Sequence, residues 1–223
     1  MKRRDFLKAA GVLAAWPYGR GLEAETTGRV LVNDIHSQLN PTWVTGIEKP
    51  SSLDALVTTV RKASEGGQSI SIAGGRHAMG AQQFGTDTVL LDMRGMRSVI
   101  DFDPETGLIE VEAGAHWPEL INDYLALQHG AERPWGIAQK QTGADRLTIG
   151  GALAANAHGR GLTLKPMVGD VEAFTLVDER GEVRRCSRTE NAELFRLAIG
   201  GYGLFGVMAT VQLRLIPRRK LER

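Results

Sequence analysis

The segment Ser71-Ile-Ala-Gly-Gly-Arg-His77-Ala-Met-Gly80 gathers the residue types best suited to chemistry in this chain. A β-branched strand pattern runs into Gly74 and Gly75, then Arg76, His77, Ala78 and a further glycine. Glycines at a strand end let backbone N–H groups converge on an anion, because no side chain blocks close approach. His77 places an imidazole nucleophile in the same loop. An anion cradle beside a histidine suits a flavin dinucleotide gripped at its pyrophosphate, with or without a bond from the ring; a tight turn is the reading this segment alone leaves open. A second segment, Leu147-Thr-Ile-Gly150-Gly151-Ala-Leu-Ala-Ala-Asn156-Ala-His158-Gly159, sets Thr148, Gly150 and Gly151 at the start of an alanine-rich helical stretch. Unpaired N–H groups at a helix start, with a hydroxyl beside them, offer another anion site. The alternative is a short core helix packed through small residues.

The elements that must position these loops follow from periodicity. Pro50-Ser-Ser52 supplies helix-start residues, and Leu53, Leu56, Val57 and Val60 repeat at helical spacing until Gly66-Gly67. Residues 69–73 form the strand that delivers the first loop, and 89–91 a short strand after it. Residues 99–102 and 109–112 alternate about Pro104-Glu-Thr-Gly107 as a hairpin, and 174–177 with 183–186 do so about Asp178-Glu-Arg-Gly181. Residues 117–127 and 191–198 are helical, and 205–216 close the chain as a long strand. Helices interspersed with hairpins predict an α+β domain, not a doubly wound sheet. Gly201-Tyr-Gly203-Leu-Phe-Gly206 fits the dinucleotide fingerprint, but a helical pattern precedes it and a strand follows. That order is the reverse of what nicotinamide binding requires.

Taken in order, Ala73-Gly-Gly-Arg-His77, Val111-Glu-Ala-Gly114, Leu147-Thr-Ile-Gly-Gly151, Asn156-Ala-His-Gly159 and Gly200-Gly-Tyr-Gly-Leu-Phe-Gly-Val207 resemble the FAD-binding, PCMH-type domain of the vanillyl-alcohol oxidase and p-cresol methylhydroxylase flavoproteins. The resemblance spans residues 45–217. It implies a small parallel-sheet subdomain and a larger antiparallel-sheet subdomain flanked by helices, with FAD as cofactor. The first loop of the family usually reads Arg-Gly-x-Gly-His-Ser, so Arg76 replaces its last glycine and Ala78 its serine. Residues implied at the cofactor are Ala73, Gly74, Gly75, Arg76, His77, Ala78, Gln82, Gly114, Asp145, Thr148, Gly150, Gly151, His158 and Val207. Within that set His77 is the residue for a covalent flavin bond or a backbone-satisfied loop histidine. Arg76 is a phosphate partner or a solvent-facing arginine, and Asp145 a nucleotide contact or a cap. His158 is a flavin or substrate contact or a buried structural histidine, and Val207 lies near the adenine. The implied chemistry is oxidation of a CH–OH compound (sugar, aldonolactone or alcohol) or an amine by hydride transfer to flavin. Family members carry a substrate-binding domain after this one. The sequence here stops at Arg223, so the expectation is a fragment or short gene product, or a partner chain that supplies the rest. The chain reads as the flavin half of an oxidoreductase, or alternatively as a flavin-binding module without activity of its own.

Composition excludes several classes. A content of 42% hydrophobic and 24% charged residues is ordinary for a globular enzyme. Its net charge of +1 and lack of a basic stripe argue against nucleic acid. His36, His116 and His129 have no metal-ligand spacing, and no Gly-x-Ser-x-Gly elbow supports a hydrolase. Cys186 is the sole cysteine, so no intrachain disulfide forms and a second, cysteinyl flavin bond is ruled out. It reads as a small residue within a strand. Lys2-Arg3-Arg4-Asp5-Phe6-Leu7-Lys8 before the apolar run 9–16 resembles a twin-arginine export signal over residues 1–25, giving periplasmic delivery; a cytoplasmic amphipathic leader is the alternative. The apolar run is too short for a membrane span. Residues 26–44 read as a polar arm and 218–223 as a basic tail.

Overall fold

In the computed structural model, residues 28–218 are described apart from 142, 160 and 162. The leader at 1–25 and most of the basic tail therefore lie outside the described residues. An N-terminal pair, β1 (Val30–Val32) and β2 (Thr42–Val44), is antiparallel and brackets a loop of the arm. Then β3 (Gly46–Glu48), α1 (Leu53–Glu65), β4 (Ile70–Ala73) and β5 (Val89–Asp92) build a small parallel sheet in the order β3-β5-β4. Every residue of β5 is buried, as befits the centre of a parallel sheet. Helix α1 starts where the Ser52 hydroxyl accepts from the Ala55 N–H at 3.2 Å. It stops at Gly66-Gly67, where Gly67 takes φ +62°, and between these ends it buries Leu56, Val60 and Ala63.

A 3-10 turn, Met93–Gly95, carries the chain into the larger sheet. Strands β6 (Val99–Asp103) and β7 (Leu108–Glu112) form the first hairpin. Helix α2 (Trp117–Leu127), the short β8 (Trp135–Gly136) and α3 (Ile149–Ala154) follow. Strands β9 (Val171–Val177) and β10 (Val183–Ser187) make the second hairpin. Then α4 (Ala192–Ala198) leads to β11 (Val207–Arg214) and a final β12 (Ile216–Pro217) paired to β8. The larger sheet has the order β10-β9-β11-β7-β6 and is antiparallel throughout. The last long strand thus inserts between the two hairpins and ties them together.

One core lies under this sheet, with Ile109, Val111, Trp117, Leu120, Ile149, Leu153, Phe174 and Phe195 among its members. Phe174 and Phe195 stack with centroids 5.3 Å apart. A second cluster joins the two sheets: Leu56, Val60 and Leu91 from the parallel side meet Val177, Val207 and Ala209 from the other. Cys186 sits fully buried in β10, and burial pushes its thiol up to about 11, so it behaves as a packing residue. Within the described residues, no helix is long and apolar enough to cross a membrane and no His, Cys, Asp and Glu cluster is placed to hold a metal.

Candidate cofactor site

Strand β4 ends at Ala73, which is fully buried, and releases the loop Gly74–Ala78 against the start of α3. The two glycines are required by neighbouring chain. A Cβ on Gly74 would fall onto the Thr148 hydroxyl, and one on Gly75 onto the Arg146 carbonyl oxygen. The left-handed turn comes one residue later, at Arg76, with φ +57°. That is where the resembled family has its last glycine, and here an arginine takes the left-handed bend at some strain.

Among the described residues, none accepts a hydrogen bond from the backbone N–H of Gly74, Gly75, Arg76, His77 or Ala78. All five of these residues line one cavity, so their N–H groups are available to an anion there. Charge reinforces it. Arg76 Nη2 lies 3.6 Å from the buried Asp92 carboxylate, while Arg94 grips the same carboxylate through Nε at 2.8 Å and Nη2 at 2.5 Å. Two guanidinium groups share one carboxylate, so the group carries a surplus positive charge. Burial alone would push Asp92 up, but the Arg94 fork and then Arg76 hold it below the ordinary carboxylate range. Arg76 is itself lowered, by burial first and with Asp92 opposing. Its Nε is buried without a partner, and its guanidinium lies 5.9 Å from the Phe84 ring centre. Arg76 is therefore neither solvent-facing nor wholly free.

The start of α3 differs from the expectation of unpaired donors. The Ile149 N–H donates to Ala115 O at 2.8 Å, Gly150 N–H to Ala113 O at 2.8 Å, and Gly151 N–H to the Thr148 hydroxyl at 3.2 Å. Close packing of α3 onto the end of β7 has consumed the groups that would have gripped an anion. What remains is the Thr148 hydroxyl proton and the small-residue surface of the helix.

Between these two segments lies a cavity of about 300 Å³. Of the fourteen residues singled out in sequence, nine line it: Gly74, Gly75, Arg76, His77, Ala78, Gln82, Thr148, Gly150 and Gly151. The other five are placed elsewhere. Ala73 sits behind the wall in the core. Gly114 lets β7 run against the 3-10 turn, since a Cβ there would land on the Met93 carbonyl oxygen. Asp145 is exposed and paired with Lys140. His158 is exposed, its Nδ1 donating to Gly159 O at 2.9 Å. Val207 is buried in the cluster that joins the sheets.

Several lining residues escaped the sequence reading. Gln83 donates from Nε2 to Ala78 O at 3.0 Å and leaves its buried Oε1 unpartnered. Ala154, Ala155, Ala157 and Met208 give one wall its apolar character, and Tyr202, Gly203, Phe205 and Gly206 close one end. The false dinucleotide fingerprint thus borders the cavity as a loop with Tyr202 at φ +51° and Gly203 at φ +84°. Element order in the sequence sets the fingerprint aside, and the same glycine segment counts within the family resemblance. His77 also has a partner invisible in sequence: its Nδ1 lies 2.7 Å from His36 Nε2, brought over by the β1–β2 loop. The His77 ring is held below the ordinary histidine value by burial and then by the His36 charge, with His116 adding to this and the Arg146 carbonyl opposing it.

Unpartnered buried atoms on Arg76, His77 and Gln83, a row of free N–H groups and an apolar wall fit a cofactor with an anionic centre and a flat aromatic end. Comparison with known proteins agrees. Residues 44–187, more than half of the chain, match the family model described as an FAD binding domain. The chain is 29% identical over 194 residues to cytokinin dehydrogenase 3 of Oryza sativa subsp. japonica, covering 84% of this chain and 34% of that protein. It is 29% identical over 181 residues to L-gulono-1,4-lactone dehydrogenase of Mycobacterium tuberculosis (79% and 39%). With L-gulonolactone oxidase of Bos taurus it shares 28% identity over 175 residues (78% and 38%). The chain thus spans little more than a third of these relatives' length. Within that span, fold, motif order and family match agree: the chain belongs to the PCMH-type FAD binding domains of the FAD-linked oxidases and dehydrogenases.

Proposed function

We propose that this chain is the flavin-holding part of an FAD-dependent oxidoreductase that oxidises a CH–OH compound or an amine. The observation that carries this reading is the row of N–H groups from Gly74 to Ala78, without partners among the described residues and backed by the surplus charge of Arg76 and Arg94, along an apolar cavity. In this role the cradle and Arg76 hold the pyrophosphate. The hydroxyl of Thr148 and the side chains of Gln82 and Gln83 orient polar edges. Alanines of α3 and the segment after it, with Met208, exclude water from one face. FAD bound there supplies the hydride acceptor. The names of the relatives, cytokinin dehydrogenases and lactone-oxidising enzymes among them, keep both the amine and the CH–OH class within this reading.

A second reading is a flavin-binding module that turns over only with further residues or a partner chain. Reconstitution separates the two. The full chain is mixed with FAD, and its absorbance spectrum is recorded before and after acid precipitation. Assays with aldonolactones, sugars and alcohols and an artificial acceptor follow. A bound flavin spectrum with turnover supports the first reading, and flavin without turnover the second. A colourless protein at saturating FAD overturns both. Yellow colour retained in the acid pellet, and lost in His77→Ala, identifies His77 as a covalent tether.

We further propose export by the twin-arginine route, since Arg3-Arg4 precede Phe6-Leu7-Lys8 and an apolar run. That route carries folded proteins, which suits a cofactor inserted beforehand. Replacing Arg3 and Arg4 together by Lys should retain the protein in the cytoplasm; an unchanged location overturns the reading.

A further inference from the structure

The loop between β1 and β2 is built to reach the cradle. The buried Asp34 carboxylate accepts from the backbone N–H of His36 at 2.8 Å and of Ser37 at 2.6 Å, and from the Ser37 hydroxyl at 2.8 Å. This fixes the turn that presents His36. The loop then fastens to the cradle segment by main chain and side chain: Ile35 N–H donates to Arg76 O at 3.1 Å, and Asn40 Nδ2 to Met79 O at 2.7 Å. Within this clasp His36 Nε2 meets His77 Nδ1 at 2.7 Å, with ring centres 4.7 Å apart.

We propose that His36 is a positioning residue that holds His77 as a neutral imidazole with its proton on Nε2. Between two neutral rings one nitrogen must donate and the other accept. The far side of His77 decides which. Its Nε2 is buried, and the Arg146 carbonyl oxygen borders the same small space, since a Cβ on Gly75 would strike both. A carbonyl oxygen only accepts, so the arrangement favours N–H over a bare lone pair at Nε2, although the two groups fall short of hydrogen-bond alignment. Nδ1 of His77 is then the acceptor, and His36 Nε2–H the donor. The titratable groups facing the ring are His36 on the arm and His116 at the start of α2, and each disfavours a proton added to His77. A neutral ring adds no second surplus charge beside Arg76 and Arg94, and its plane is fixed on the cavity wall. The consequence for flavin rests on the FAD reading proposed above; the tautomer does not.

The test uses the full-length ¹⁵N-labelled protein as purified, with long-range ¹H–¹⁵N spectra of the histidine rings from about pH 5 to 8. The expected wild-type result is an Nε2–H tautomer for His77, titrating below the ordinary histidine range. In His36→Ala the tautomer mixes, the titration moves up, and FAD, used as the probe, binds about five-fold more weakly, as for loss of one hydrogen bond. His36→Gln, whose amide keeps an N–H donor near the same place, restores the tautomer. A wild-type Nδ1–H tautomer, or a His36→Ala spectrum with tautomer and titration unchanged, overturns the inference. Should His36→Ala fail to fold, the wild-type tautomer and the His36→Gln spectrum still decide. Protein with the expected tautomer that binds no FAD supports the role of His36 while sinking the flavin reading.

Discussion

Arg76 carries more than one duty at a single position. It bends the chain left-handed, contributes to holding Asp92 ionised, and leaves a buried Nε without a partner at the cavity. Replacing it by glycine relieves backbone strain of about 1 kcal/mol but removes one cation from the Asp92 group. Because Arg94 still grips Asp92 with two bonds, Arg76→Gly should fold and melt within a few degrees of the wild type. FAD affinity should fall about ten-fold or more, as for loss of a charge-assisted contact to phosphate. Flavin fluorescence titration reads this directly, and an unchanged affinity removes Arg76 from the phosphate site. Asp34 governs a different property. Burial raises it, but the Ser37 hydroxyl and three backbone N–H groups bring it down to about 2. A carboxylate depressed in the folded state adds stability above its unfolded value near 4, and that stability is lost as pH falls toward the folded value. Melting curves between about pH 6 and 2.5 should therefore show a smaller acid loss in Asp34→Asn than in the wild type. Equal pH slopes would remove Asp34 from the acid response.

At the level of elements, the site is made by two close approaches. Gly74 and Gly75 press the end of β4 onto Thr148 and Arg146, and Gly114 presses the end of β7 onto the turn after β5. Gly114→Ala places a methyl on the Met93 and Met96 carbonyl oxygens, backbone that cannot yield cheaply. It should cost several kcal/mol or abolish soluble expression. Gly46→Ala, with nothing within 4 Å of the new methyl and no left-handed φ, is the matched control and should melt near the wild type. Thermal melts of the pair test whether glycine serves packing here or only turn-making. The same contrast explains what could be read in advance. Periodicity placed α1, α2 and both hairpins, because alternation and helical spacing are local properties of apolar residues such as Leu56, Val60, Ile109 and Val111. It also found both loops of the site, because their glycines are locally conspicuous. It could not show that Ile149 and Gly150 donate to Ala115 and Ala113, nor that His36 reaches His77, since these depend on which strands lie side by side. Fourteen candidate positions therefore resolved into nine on the cavity and five elsewhere, Gly114 and Val207 among them as packing residues.

For the whole molecule, the cavity lies where elements of the two sheets converge. The cradle comes from the parallel sheet, and the alanine wall and Thr148 from the helix packed on the antiparallel one, while the β1–β2 loop reaches the site only through the His36–His77 contact. A ligand seated there contacts elements from both sheets, so it binds only when their packing is native. Binding to the folded state alone stabilises by about 2.7 kcal/mol at a ligand concentration one hundred times Kd. For a domain of this size that corresponds to a rise in Tm of roughly 5–10 °C. FAD should produce such a shift, and one that grows with the logarithm of its concentration. NAD should produce none, because the loop from Gly201 to Gly206 lies between α4 and β11 and opens no helix. A Gly74→Val variant, in which the larger side chain collides with Thr148 and narrows the cavity, should melt lower and lose the FAD-dependent rise. A thermal shift series with FAD, NAD and buffer alone checks all three. Equal shifts with FAD and NAD would mean that the molecule recognises the shared ADP portion and not the flavin, and would move the site's selectivity away from the apolar wall.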